Sequence, residues 1–162
     1  MKTSRIISIA LFAVAAAATF GFAGPFTRFF RQSVPEPELQ WRTDLSDAHQ
    51  EAVLTNRPML VVFDADWCAY CRKMDQKTLT DASLVAYIND GFIPVRLNLD
   101  DNERVAEILE VKRIPCTIAL SPRADLLGRV VGYVNTVQYR ETLARVRALQ
   151  GRVERKLAAK GD

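Results

Sequence analysis

The feature that most constrains this chain is the stretch from Met59 to Cys71. Met59-Leu60-Val61-Val62-Phe63 is apolar at every position, and after Asp64-Ala65-Asp66-Trp67 it leads into Cys68-Ala69-Tyr70-Cys71. A short β-branched run that is apolar on both faces is a strand buried inside a covered sheet. The paired cysteines then fall at the start of a helix leaving the strand's end. Layered α/β architectures accommodate this, whereas bundles and sandwiches do not.

The rest of the chain extends the pattern. Asp44 or Ser46 caps a helix running to about Asn56, and Pro58 opens the first strand. A helix is expected from Cys68 to about Leu79, and another from its cap Asp81 to Asn89. The second strand covers Phe92–Leu99, and a helix fits Asn102 to Glu110, with Val105, Ile108 and Leu109 on one face. Thr117–Leu120 and Leu126–Tyr133 flank Ser121-Pro122-Arg123-Ala124-Asp125 as a hairpin. The last helix starts near Thr136 and aligns Tyr139, Leu143, Val146, Val153 and Leu157. The order α-β-α-α-β-α-β-β-α implies a mixed sheet with helices on both faces and an antiparallel C-terminal hairpin.

The N-terminus reads as an address. Lys2 and Arg5 precede an apolar run from Ile6 to Phe20, and Gly21-Phe22-Ala23 supplies small residues at the cleavage positions. Residues 1–23 are a secretory signal or, since no charge intervenes between Arg5 and Arg28, an uncleaved anchor. Either reading puts the domain in the periplasm or otherwise outside the cytoplasm, secreted or anchored by its N-terminus. Residues 24–40, with Pro25, Pro35 and Pro37, read as a linker, 41–157 as one domain and 158–162 as a tail.

Three cysteines in 162 residues are too few for a disulfide framework, and a net charge of +3 calls for no nucleic-acid partner. The pair instead points to chemistry. A thiolate attacks disulfides, and the unpaired amides and dipole of a helix's first turn stabilise it, drawing its pKa to roughly 3.5–7.5. Cys71, one turn further on, can close on Cys68 and release a mixed disulfide. The competing reading is half of a zinc or iron–sulfur site. Only Cys116 and His49 remain as further Cys or His ligands, and His49 reads as a solvated helix position. No cofactor and no metal are called for.

Asp66-Trp67-Cys68-Ala69-Tyr70-Cys71-Arg72, Arg96-Leu97-Asn98-Leu99-Asp100, Ile114-Pro115 and Gly132 resemble, in order and spacing, the thioredoxin superfamily. The resemblance is greatest to its extracytoplasmic members, including the C-terminal domain of the transmembrane disulfide reductase. It implies a thioredoxin fold, with Pro115 as a cis-proline facing the cysteines. It also implies that Ile114 offers backbone groups to an extended substrate and that Trp67 flanks the site. Three departures stand out. Val62 occupies the position of the family's buried aspartate, and Arg96 that of its partner lysine, so either Asp64 or Asp66 takes over the proton work or both are simply solvated. The dipeptide Ala69-Tyr70 is neither that of reducing thioredoxins nor that of the periplasmic oxidant. Cys116, close to the pair, stands where relatives commonly carry threonine, and reads as packing or as an additional thiol.

The expected function is an extracytoplasmic thiol–disulfide oxidoreductase that reduces or isomerises protein disulfides, fed by a membrane electron donor. The alternative is a thioredoxin-fold binding or metal-carrier module using the same cysteines.

Overall fold

The computed structural model describes residues 37–160; the signal or anchor segment and most of the linker lie outside the described residues. The elements are α1 (Leu45–Thr55), β1 (Met59–Asp64), α2 (Ala69–Lys77), α3 (Ala82–Gly91), β2 (Ile93–Asn98), α4 (Glu103–Ile108), β3 (Cys116–Leu120), β4 (Leu126–Val131) and α5 (Thr136–Ala158). Side-chain caps begin several of the helices. Asp44 accepts from the Asp47 amide, Asp81 from that of Leu84 and Asn135 from that of Gln138.

The strands form one sheet in the order β2-β1-β3-β4. β1 pairs with β2 in parallel and with β3 antiparallel, and β3 pairs antiparallel with β4. Two of the three strand pairings are therefore antiparallel, and the C-terminal hairpin joins the sheet through β3, antiparallel to β1. Alternation along the strands sorts the core into two layers. Met59, Val61, Phe63, Cys116 and Ile118 pack with Ala48, Ala52 and Ala106 of α1 and α4. Leu60 and Ala119 point the other way, toward Met74, Leu84, Ile88, Tyr139 and Leu143 of α2, α3 and α5.

Four details depart from the sequence pattern. Residues 38–40, assigned to the linker, are docked: the Asn89 side chain donates to the Glu38 carbonyl at 2.8 Å and accepts from the Gln40 amide at 3.1 Å. Leu39 and Trp41 lie against the second core layer. α4 is short, and Ile108 is 70% exposed while Val105 and Leu109 pack inward, because only a single apolar turn reaches the sheet. On α5 the buried row is Tyr139, Leu143, Val146 and Gln150; Leu157 is exposed because the helix outruns the sheet it covers. His49 is not simply solvated, since its Nε2 donates to the Pro122 carbonyl at 3.1 Å, tying α1 to the β3–β4 turn.

Candidate active site

Phe63 ends the apolar part of β1, and Asp64-Ala65-Asp66-Trp67 turns the chain into α2. The Cys68 amide donates to the Ala65 carbonyl at 3.0 Å, and Cys68 is the N-cap rather than the first residue of α2. This moves the sulfur from the side of the first turn to its open end. The Cys71 amide donates to Cys68 Sγ at 3.1 Å, so an otherwise orphaned first-turn N–H is aimed at that sulfur. The two cysteines form a disulfide with a Cα–Cα distance of 5.3 Å. Both are buried, together with Ala65 and against Ile114 and Leu99.

Two exposed aromatic rings flank the disulfide. Trp67 is 64% exposed, with its Nε1 donating to Asp100 Oδ2 at 2.9 Å, and Tyr70 is 63% exposed. Asp66 is exposed, and its backbone carbonyl accepts from the Arg72 guanidinium. The Ile114–Pro115 bond is cis. Pro115, Cys71 and Val62 share the lining of a gap of about 10 Å³.

Cys116 follows Pro115 but faces away. Strand alternation turns its side chain into the core layer beneath α1 and α4, beside Phe63 and Ile118, whereas Met74 of α2 packs on the opposite layer. Burial pushes the Cys116 thiol up, opposed by the Arg129 guanidinium beside it. Arg129 also donates to the carbonyls of Leu109 and Glu110.

The charged residues gather on the α2 side of β1. Parallel register sets Arg96 opposite Val62. Its Nε lies 3.1 Å from Asp64 Oδ2, its Nη2 pairs with Asp75, and its guanidinium carbon sits 4.5 Å from the centre of the Trp41 ring. Burial raises the Asp64 carboxyl above its ordinary value, with Arg96 pulling the other way and Asp75 and Asp66 adding to the rise. A polar cleft of about 560 Å³ is lined by Asp64, Asp66, Cys71, Arg72, Asp75 and Arg96, among others. Asp75 was not singled out in the sequence. The available signal was its spacing, four residues after Cys71 and so on the same helical face.

Two thiols that close on each other across one helical turn can accept a disulfide from a second molecule or pass one to it. On a mixed sheet of this order, that chemistry belongs to the thioredoxin-fold thiol–disulfide oxidoreductases. The chain belongs to the Thioredoxin-like domain family, whose model matches residues 45–147. It is similar to thiol:disulfide interchange protein DsbD of Ralstonia nicotianae, at 27% identity over 107 residues, 64% of this chain and 18% of that protein. It is also similar to thiol:disulfide interchange protein TxlA of Synechococcus elongatus, at 29% identity over 104 residues, 63% of this chain and 53% of that one. The chain thus spans about half or less of these two relatives. The solved structure of a DsbH oxidoreductase superposes with a TM-score of 0.64 at 17% identity, covering 74% of this chain and 93% of that one, a likeness of fold.

Proposed function

We propose that this chain reduces or isomerises protein disulfides outside the cytoplasm, with Cys68 as the attacking thiol and Cys71 as the resolving one. The observation that carries the assignment of roles is the Cys71 amide directed at Cys68 Sγ, which favours a thiolate at that sulfur over any other in the chain. Thiolate at Cys68 attacks a substrate disulfide, forming a mixed disulfide and expelling one substrate thiolate. Cys71 then attacks Cys68 Sγ, the mixed disulfide breaks and the second substrate thiol departs. Two electrons and two protons pass to the substrate, and the pair is left oxidised.

Trp67, Ile114 and Pro115 are the proposed substrate-facing residues, the first through its exposed ring and the others through their place beside the cysteines. A reductant in an oxidising compartment needs a continuing electron supply, so the partner proposed is a membrane electron donor. Extracytoplasmic placement rests on residues 1–23 as a signal or anchor, followed by a tether to a domain ending near residue 157. The relatives named as thiol:disulfide interchange proteins support the reaction class.

The test is the equilibrium potential of the pair, read by thiol trapping across a glutathione or dithiothreitol series. A value near about −250 mV or below supports a donor-fed reductant; roughly −120 to −180 mV supports an isomerase or oxidase. The absence of any reversible couple, with stoichiometric metal retained by the dithiol form, would overturn the reading in favour of a carrier.

A further inference from the structure

We propose that the outer edge of β4 is a docking site for an extended, acidic segment of a partner protein, which adds to the sheet as a further strand beside the arginines of α5. The inference goes beyond the reading above and holds whichever way the cysteine pair moves electrons. β4 stands last in the sheet order, and among the described residues it pairs with β3 alone. The Gly132 amide donates to the Pro115 carbonyl at 2.7 Å. Ladder alternation therefore turns the backbone polar groups of Val130 toward β3 and those of Arg129 and Val131 outward. Edges of this kind are ordinarily blunted by proline, lysine or a bulge. β4 reads Leu-Leu-Gly-Arg-Val-Val, and its register shift falls near its start, where Leu127 is the extra residue between Leu126 and Gly128. From Gly128 onward the edge is open, and Val131 near its end is 47% exposed.

Beside that edge lies a groove of about 490 Å³ between β4 and α5. Four consecutive residues, Leu127 to Val130, line it, so the rim of the strand forms one wall. The α5 wall is apolar at Val146 and Leu149 and carries Arg145 and Arg152, about two turns apart on one face of the helix. Among the described residues no carboxylate lines the groove, and neither arginine is in an ion pair. Arg129 points to the other side of the sheet, with its guanidinium on the carbonyls of Leu109 and Glu110. Glu110 lies on that side too, so charge selection is assigned to Arg145 and Arg152. Outward N–H and C=O groups accept an extended polypeptide, and unpaired guanidinium groups select carboxylates at its alternate positions. A second copy pairing through the same edge would set its arginines against these, like charge against like. The edge also runs into Gly132 and Pro115, and Pro115 borders the small gap beside Cys71. A segment held on β4 therefore brings its neighbouring residues to the disulfide.

The experiment titrates the oxidised full-length chain into a fluorescein-labelled peptide of about ten residues that alternates Glu and Thr, and reads anisotropy at low salt. Saturable binding is expected, with none for the counterpart that alternates Lys and Thr. The double variant Arg145→Glu, Arg152→Glu should weaken binding about ten-fold or more. A peptide of the same charge with two central Thr replaced by Pro cannot complete a ladder and should lose about as much. Val131→Pro removes an outward N–H while leaving the β3 ladder intact, and should weaken binding to a similar extent. Equal binding of the two acidic peptides, or unchanged binding by the double variant, overturns the inference. So does binding to phosphatidylserine vesicles without binding to the peptide, or a dimer that the peptide does not displace. If Val131→Pro does not fold, the proline-bearing peptide decides the matter. The pair stays oxidised throughout, so no outcome depends on the roles proposed for Cys68 and Cys71.

Discussion

Trp67 and Asp100 are joined by a single hydrogen bond, indole Nε1 to carboxylate Oδ2 at 2.9 Å, which holds an exposed ring beside the disulfide. The bond bridges the β1–α2 turn and the segment that follows β2.

Asp100→Ala frees that ring without touching the core. If Trp67 is a substrate contact, KM for a protein disulfide rises about three- to ten-fold, equivalent to about 0.5–1.5 kcal/mol, while the melting temperature moves little. Steady-state reduction of a disulfide-bonded protein alongside a thermal melt checks both halves of this expectation.

Among the cysteines, Cys68→Ser abolishes turnover and Cys71→Ser traps a mixed disulfide on Cys68. Cys116→Ala leaves turnover within about two-fold, because its thiol is buried in the layer beneath α1 and α4. Mass spectrometry of the trapped species decides this. An adduct on Cys116, or loss of turnover without it, would contradict the packing role.

Tyr139 is fully buried, its hydroxyl 3.0 Å from Thr117 Oγ1, and burial raises its phenol far above the usual value of 10.0. The folded chain therefore holds this proton where the unfolded chain loses it, so stability contributed below about pH 10 falls as the pH rises beyond that point. Tyr139→Phe should cost about 1 kcal/mol at pH 7, since Thr117 loses its partner, and should flatten the alkaline fall. Urea denaturation at pH 7 and at pH 10–11 measures the two effects separately.

Gly128 and Gly91 make a contrast. A Cβ on Gly128 would lie 3.0 Å from Val146 Cγ2 beneath α5, whereas one on Gly91 would meet the Arg147 guanidinium at 2.8 Å. Gly128→Ala is expected to destabilise by about 1–3 kcal/mol, because Val146 is locked in the core. Gly91→Ala should stay within about 1 kcal/mol of the parent, since Arg147 can swing away and alanine favours the helix. Chemical denaturation ranks the two, and the reverse order would refute the argument.

Much of the fold was legible because its signals are local. Asp44 and Asp81 announce helix starts, and Met59–Phe63 announces a central strand through composition alone. Cys68 and Cys71 were legible for the same reason, being three residues apart at a strand's end. What sequence could not convey was phase between distant segments. The Arg96 cluster exists because β2 pairs with β1 in one particular register and α2 turns Asp75 toward the same point. Adjacency also misleads. Cys116 neighbours Pro115 in the chain, yet one step of strand alternation carries its sulfur to the other side of the sheet. Gln150 illustrates a third limit, as a polar residue on the buried row of α5 that apolar periodicity alone passes over.

The end of α5 leaves the molecule with two working poles. Val153 and Leu157 lie beside Asn56 and the Ser121–Asp125 turn, at the end of β3 far from Cys116 and Pro115. A tether, affinity tag or fused domain attached after Lys160 would thus depart from the pole remote from the disulfide. Immobilised by that end, the protein would present Trp67, Tyr70 and the cysteines outward, as a surface-bound reagent whose reactive face stays unobstructed.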